Sequence, residues 1–220
     1  MSTITISLPE SLASHTVTIR VKLAARLWGK EMQPYEYVLV LASIIVGLGI
    51  ADLLVSLQRL LRARGRVDWD WAVPATALLV LMTNIQIWWA LYDPAVKPVT
   101  IGGFLPILAG LILLFLVTAA TLPDELGEGR FSLRDYYAEN RAYFWTLYSL
   151  TLGWTVVSAV IRDALSGASL SRLVDNHLPD TIVLVVMASM ALVRARWWHA
   201  LVLGLLCVAG PLTWLSRSLS

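Results

Sequence analysis

One carboxylate stands out by its surroundings. Asp52 follows Gly47, Gly49 and Ala51 inside the apolar run 37–57 (YVLVLASIIVGLGIADLLVSL), and the next charged residue, Arg59, is two helical turns further on. An ionisable group inside a membrane-spanning segment is costly and marks a functional position by default. Facing a cavity, Asp52 would be a proton or cation site; bonded to an arginine or to a tryptophan indole, it would be structural. Asn84 and Gln86 are the second polar feature, deep in the run 71–91 and just before Trp88 and Trp89. Two residues apart on a helix, they point about 200° from each other and cannot form one side-by-side site. One is expected to bond a neighbouring helix and the other to line a polar path.

Three further groups carry chemistry on paper. His199 stands beside Trp197, Trp198 and Arg196, which suits an interfacial hydrogen bonder, with a proton relay as the alternative. Asp175, His177 and Asp180 gather two carboxylates and an imidazole in six residues, the makings of a weak divalent-cation site. An aspartate before an apolar run also caps a helix and complements its dipole, and capping is the preferred reading here. Cys207, among Leu, Val and Ala, reads as an inert core thiol. The sequence has no GxxxxGK[ST], HExxH, paired CxxC or TVGYG motif, so the reading includes no catalytic residue and no cofactor.

These residues need elements to hold them, and composition says which. The 220 residues are 58% apolar and 15% charged, against about 25% charge in a soluble domain. The mean hydropathy is +0.70. A single Cys excludes an intramolecular disulfide framework, and with three His it leaves few ligands for a protein-only metal site. The 17 basic and 15 acidic residues fall almost entirely between the apolar runs, so the charge marks topology and gives no nucleic-acid reading.

A transmembrane helix takes roughly 20 apolar residues. The runs 37–57, 71–91, 101–121, 143–161, 179–193 and 197–215 meet or approach that length, the fifth being the shortest. The expected fold is therefore all-α: a polytopic membrane helix bundle of about six transmembrane helices over residues 35–220. Residues 1–34 form an extramembrane arm with short amphipathic strands, or residues 1–31 lie upstream of a true start at Met32. Ser132 followed by Asp135 is a helix start signal that would carry the fourth helix from the interface into the membrane, with Arg134, Tyr136, Tyr137 and Arg141 at headgroup depth.

Short basic loops stay cytoplasmic. Arg59, Arg62, Arg64, Arg66, Arg130, Arg134, Arg141, Arg194 and Arg196 fall on one side, and Lys97, Arg162, Arg172 and Arg217 on the other. This places both ends of the helical domain outside a bacterial inner (plasma) membrane. Arg20, Lys22, Arg26 and Lys30 oppose that vote, and an arm held inside would invert it. Trp69, Trp71, Trp145, Trp197 and Trp198 are expected near the inner interface, and Trp88, Trp89 and Trp214 near the outer one. Ser43, Gly47 and Ala51, spaced four apart, are expected to pack α-helices together within one protomer.

The functional expectation is a small channel or transporter for an ion, proton or small solute, working as a homo-oligomer, with Asp52, Asn84 and Gln86 as lining. The alternative is a noncatalytic scaffold, sensor or accessory subunit. An enzyme acting on lipid headgroups ranks third. Expected partners are the bilayer, anionic lipids and further copies of the chain, without nucleic acid.

Overall fold

Apolar runs become helices because lipid leaves a backbone no other way to satisfy its polar groups. The computed structural model describes residues 34–91, 101–127 and 129–214. Their order is α1 (Pro34–Arg62), β1 (Val67–Asp68), α2 (Ala72–Leu91), α3 (Ile101–Ala119), β2 (Phe131–Ser132), α4 (Leu133–Leu165), α5 (Leu170–Leu192) and α6 (Arg196–Trp214). Helices α1 to α4 are long and apolar enough to cross a membrane. Residues 1–33, Lys97 and Arg217 lie outside the described residues, so the expected arm and its strands go without structural account.

Helix α2 is the central post, in contact with α1, α3, α4 and α6, while α1 lies along α3, α3 along α4, and α4 along α5. Along α1 the buried side chains are Val38, Ala42, Val46, Leu53, Ser56 and Leu60, a helical spacing of three and four that makes one inward stripe. Ala42 and Val46 meet Leu111 and Leu114 of α3. The larger core joins Val80 of α2, Val117 of α3, Trp145 and Tyr148 of α4, Met187 and Met190 of α5, and Val202 and Leu203 of α6.

The start of α4 is written locally. Ser132 Oγ accepts the Asp135 N–H at 3.2 Å, and the helix then runs 33 residues without a break. By helix rise that is about 50 Å, longer than the hydrocarbon layer, and its first turn is packed by Leu133 against Leu53, Leu60 and Val73. Its far end closes on Gly167, whose φ of +82° only glycine adopts without strain, with the Gly167 N–H on Ala164 O at 3.1 Å.

The fifth helix departs from expectation. It begins at Leu170, not near Pro179, and Pro179 lies inside it. Asp175 and Asp180 are thus exposed residues of a helix body, not caps; the cap position belongs to Ser169. The cause is tertiary, because the first turns of α5 lie against α4 and His177 bonds Asp163 across that contact.

Successive helices alternate in direction and bring three turns together at one end. Val67 pairs with Phe131 and Asp68 with Ser132 in a short parallel ladder. Arg59 Nη1 donates to Asp124 O at 2.7 Å, and Arg141 Nη1 to Val193 O at 2.7 Å. All nine arginines of the basic set are on the helices and turns that meet here. Trp69, Trp71 and Trp197 are exposed at this end, and Trp88 and Trp89 at the other. From Trp71 to Trp88 is about 26 Å by helix rise, close to the thickness of the hydrocarbon layer.

Two packing expectations are corrected. Gly47 and Ala51 face outward, and a Cβ added at Gly47 would meet nothing within 4 Å, while Ser43 does join α1 to α2 by accepting the Trp88 indole N–H at 3.0 Å. Gly49 is the glycine that admits a neighbour: its Cβ would lie 3.6 Å from Thr118 and 3.7 Å from Asn84 Oδ1. Trp145 is no interfacial anchor, since it is fully buried and stacked on Tyr148 with ring centroids 5.8 Å apart.

Candidate functional site

The arginine-rich end encloses a cleft of about 550 Å³ between the starts of α2, α4 and α6. It is built from α4 upward. Arg134, Tyr137, Ala138 and Arg141 recur at three- and four-residue spacing, which puts them on one face of that helix. The turn between α5 and α6 supplies Arg194, the first turn of α6 supplies Arg196 and His199, and the turn before α2 supplies Asp70 and Trp71. Glu139 completes the polar lining.

A hydrogen-bonded chain forms the floor. Trp145 Nε1–H donates to Tyr137 Oη at 3.0 Å, the Tyr137 hydroxyl meets His199 Nδ1 at 2.7 Å, and His199 Nε2 meets Val193 O at 2.8 Å. A carbonyl only accepts and an indole only donates, so the roles follow. Nε2 therefore donates to Val193 O, and in the neutral imidazole Tyr137 gives its single proton to Nδ1. His199 is a fully bonded, buried group that ties α6 to α4. This matches the hydrogen-bonding role expected of it; the relay role stays a proposal.

The walls are fixed by two further contacts. Asp70 accepts the Ala72 N–H at 3.0 Å, which starts α2, and Arg196 Nη2 at 2.5 Å. Arg141, bonded to Val193 O, holds the α5–α6 turn against α4. Arg134 and Arg194 are exposed, and no bond to either is found among the described residues. The lining thus holds four arginines against Asp70 and Glu139, a surplus of two positive charges (4 − 2) with His199 neutral. An arginine fork matches carboxylate or phosphate oxygens two at a time, so the chemistry available is anion binding.

The residues singled out from sequence are not gathered here, nor with one another. Asn84 is 1% exposed; its Nδ2 donates to Val80 O at 2.9 Å and to Thr118 Oγ1 at 2.9 Å. It is the amide that bonds a neighbouring helix. Gln86 is exposed on the outside of α2. Asp52 is half-buried at the border between the inward and outward faces of α1, one turn past Gly49. Of the Asp175, His177 and Asp180 group, only His177 has a side-chain partner among the described residues, Asp163 Oδ2 at 3.0 Å, at the end opposite the cleft. Among the described residues no three His, Cys, Asp or Glu side chains come close enough to hold a metal ion.

Sequence reasoning placed Arg134, Tyr137 and Arg141 at headgroup depth but did not find the cleft. Asp70, Arg194 and Arg196 reach it from turns distant in sequence, and only the arginine spacing on α4 gave a local sign. Comparison with protein-family models, with curated proteins and with solved structures returned no match. The chain is described by its own physics: an all-helical protein with four helices apolar and long enough to cross a membrane, and a basic cleft at one end.

Proposed function

We propose that the chain is a six-span protein of a bacterial inner membrane, both ends of its helical domain outside, that acts as a noncatalytic binding subunit, scaffold or sensor through its arginine-rich face. The observation that carries this reading is where the polar groups go. Inside the spans the two large buried polar groups are taken up by helix-to-helix bonds, Asn84 on Thr118, and Tyr148 Oη on Thr83 Oγ1, whose own proton goes to Leu79 O; Gln86 faces outward, and Ser149 Oγ is buried without a partner among the described residues. The open polar volume lies instead at the cleft. A buried, satisfied amide holds helices and offers nothing to a passing solute.

Topology is tested by cysteine labelling in a Cys207→Ala background. A membrane-impermeant maleimide added outside is expected to label Arg172→Cys and to leave Arg64→Cys unlabelled until the membrane is opened. Labelling of Arg64→Cys alone from outside inverts the orientation, and labelling of both rules out the odd number of crossings, α2 to α4, between them.

Transport is the second reading, as a homo-oligomeric channel or transporter lined by Asp52, Asn84 and Gln86. It is favoured by Asp52, a half-buried carboxylate deep in α1 whose flank is open to a second copy of the chain. Proteoliposomes separate the two. The binding-subunit reading expects proton and cation flux at the level of empty vesicles. Flux well above that level, abolished by Asp52→Asn, would replace it with transport.

A further inference from the structure

We propose that the cleft between α2, α4 and α6 binds the phosphate of an anionic phospholipid headgroup. The inference rests on the membrane-spanning reading above and names a ligand for its basic face. Arg134 and Arg141 on α4 line the cleft together with Arg194 of the α5–α6 turn and Arg196 at the start of α6. The two sides are held in place by Arg141 on Val193 O and by Tyr137 on His199 Nδ1, so the site exists before a ligand arrives. Each guanidinium has five N–H donors, and the internal bonds of Arg141 and Arg196 take up only some of them. Arg134 and Arg194, without a bonded partner among the described residues, supply the free forks.

The same lining identifies the source of the phosphate. Trp71 lines the cleft and is 46% exposed, and Trp197, next to Arg196, is 67% exposed. Exposed indoles settle at headgroup level in a bilayer. The cleft therefore opens where lipid phosphates lie, and its two surplus positive charges select a headgroup with net negative charge over a zwitterionic one. Asp70 does not oppose this, because its carboxylate is committed to Arg196 and the Ala72 N–H. Glu139, exposed on the rim, disfavours a second phosphate and limits the cleft to one.

The test uses the full chain in phosphatidylcholine nanodiscs doped with spin-labelled phosphatidylglycerol, reading the motionally restricted lipid fraction against dose. Arg134→Gln/Arg194→Gln touches no internal bond and is expected to weaken retention by about tenfold or more. Arg62→Gln/Arg64→Gln, at the same end but outside the cleft, is expected to leave specific retention within about twofold of the parent. Equal loss in both double variants would mean diffuse surface attraction and overturn the proposal. So would competition by millimolar inorganic phosphate together with absent phosphatidylglycerol retention, which would assign the cleft to a soluble phosphate ester. Labelling of Arg64→Cys and Arg172→Cys as expected, with phosphatidylglycerol held no better than phosphatidylcholine, would sink the lipid site and leave the six-span reading standing.

Discussion

Trp145→Ala is expected to destabilise the bundle by about 3–5 kcal/mol, the range for deleting a large buried aromatic. In lipid the penalty comes less from water exclusion than from contacts, because helices there are held by packing and interhelical bonds. Trp145 is fully buried, lies flat against Tyr148 with an interplanar angle of 20°, and takes the edge of Phe144 at 5.0 Å. Its indole N–H also anchors Tyr137, so the deletion leaves the floor of the cleft short of a donor. Trp145→Phe separates the two roles: it keeps much of the packing and loses the hydrogen bond, a loss of about 1 kcal/mol for that bond plus a smaller packing cost. Thermal unfolding of the purified protein in detergent measures both. A Trp145→Ala midpoint within a degree of the parent would contradict the burial, and a Phe variant as unstable as Ala would contradict the division of roles.

Gly49→Leu is expected to cost about 1–3 kcal/mol, the usual penalty for overpacking a filled junction. A first carbon at Gly49 meets Thr118 and Asn84 at ordinary van der Waals distance, so Gly49→Ala should be tolerated. The remaining carbons of leucine have no room beside the Asn84 to Thr118 bond and must part α1 from α2 and α3. Two residues earlier, Gly47→Leu adds its side chain to open space and should change protomer stability by less than about 0.5 kcal/mol. Unfolding midpoints of the three variants give the answer. The reverse order, with Gly47→Leu damaging and Gly49→Leu harmless, would mean that α1 is rotated about its axis. The same comparison bears on assembly, since a Gly47→Leu variant that unfolds normally but loses a faster-sedimenting parent form would place a second copy on the outward face.

This contrast shows how far sequence reading reaches in a protein of this kind. The apolar runs mark the helices because each run carries its own length and hydropathy, and Ser132 with Asp135 marks the start of α4 because a cap is a contact over three residues. The side assignment of the arginines is equally local. Which face of α1 turns inward is not, because Val40, Ile44 and Leu48 outside are as apolar as Val38, Ala42 and Val46 inside. In water a polarity contrast would have decided it; lipid removes that contrast. The small residues then suggest a face, and the suggestion picked Gly47 over Gly49.

The same reason governs the candidate site. Asp52 was conspicuous because a charge in an apolar run is visible without any structure, and Asn84 because an amide is. What each does depends on what stands opposite: Thr118 answers for Asn84, while Asp52 stays at the border of α1. Trp145 was grouped with the interfacial tryptophans since indoles near charged turns usually anchor there, yet α4 already starts at Leu133, which places Trp145 turns deeper, below Tyr137 and in the core. Length, hydropathy and capping, which act within a few residues of chain, were determined by the sequence alone: helical class, helix positions and the basic end. Only the tertiary structure decided the inward faces, the extension of α5 and the meeting of Asp70, Arg134, Arg141, Arg194 and Arg196 around one cleft, because those depend on contacts between turns that are far apart along the chain and share no local signal.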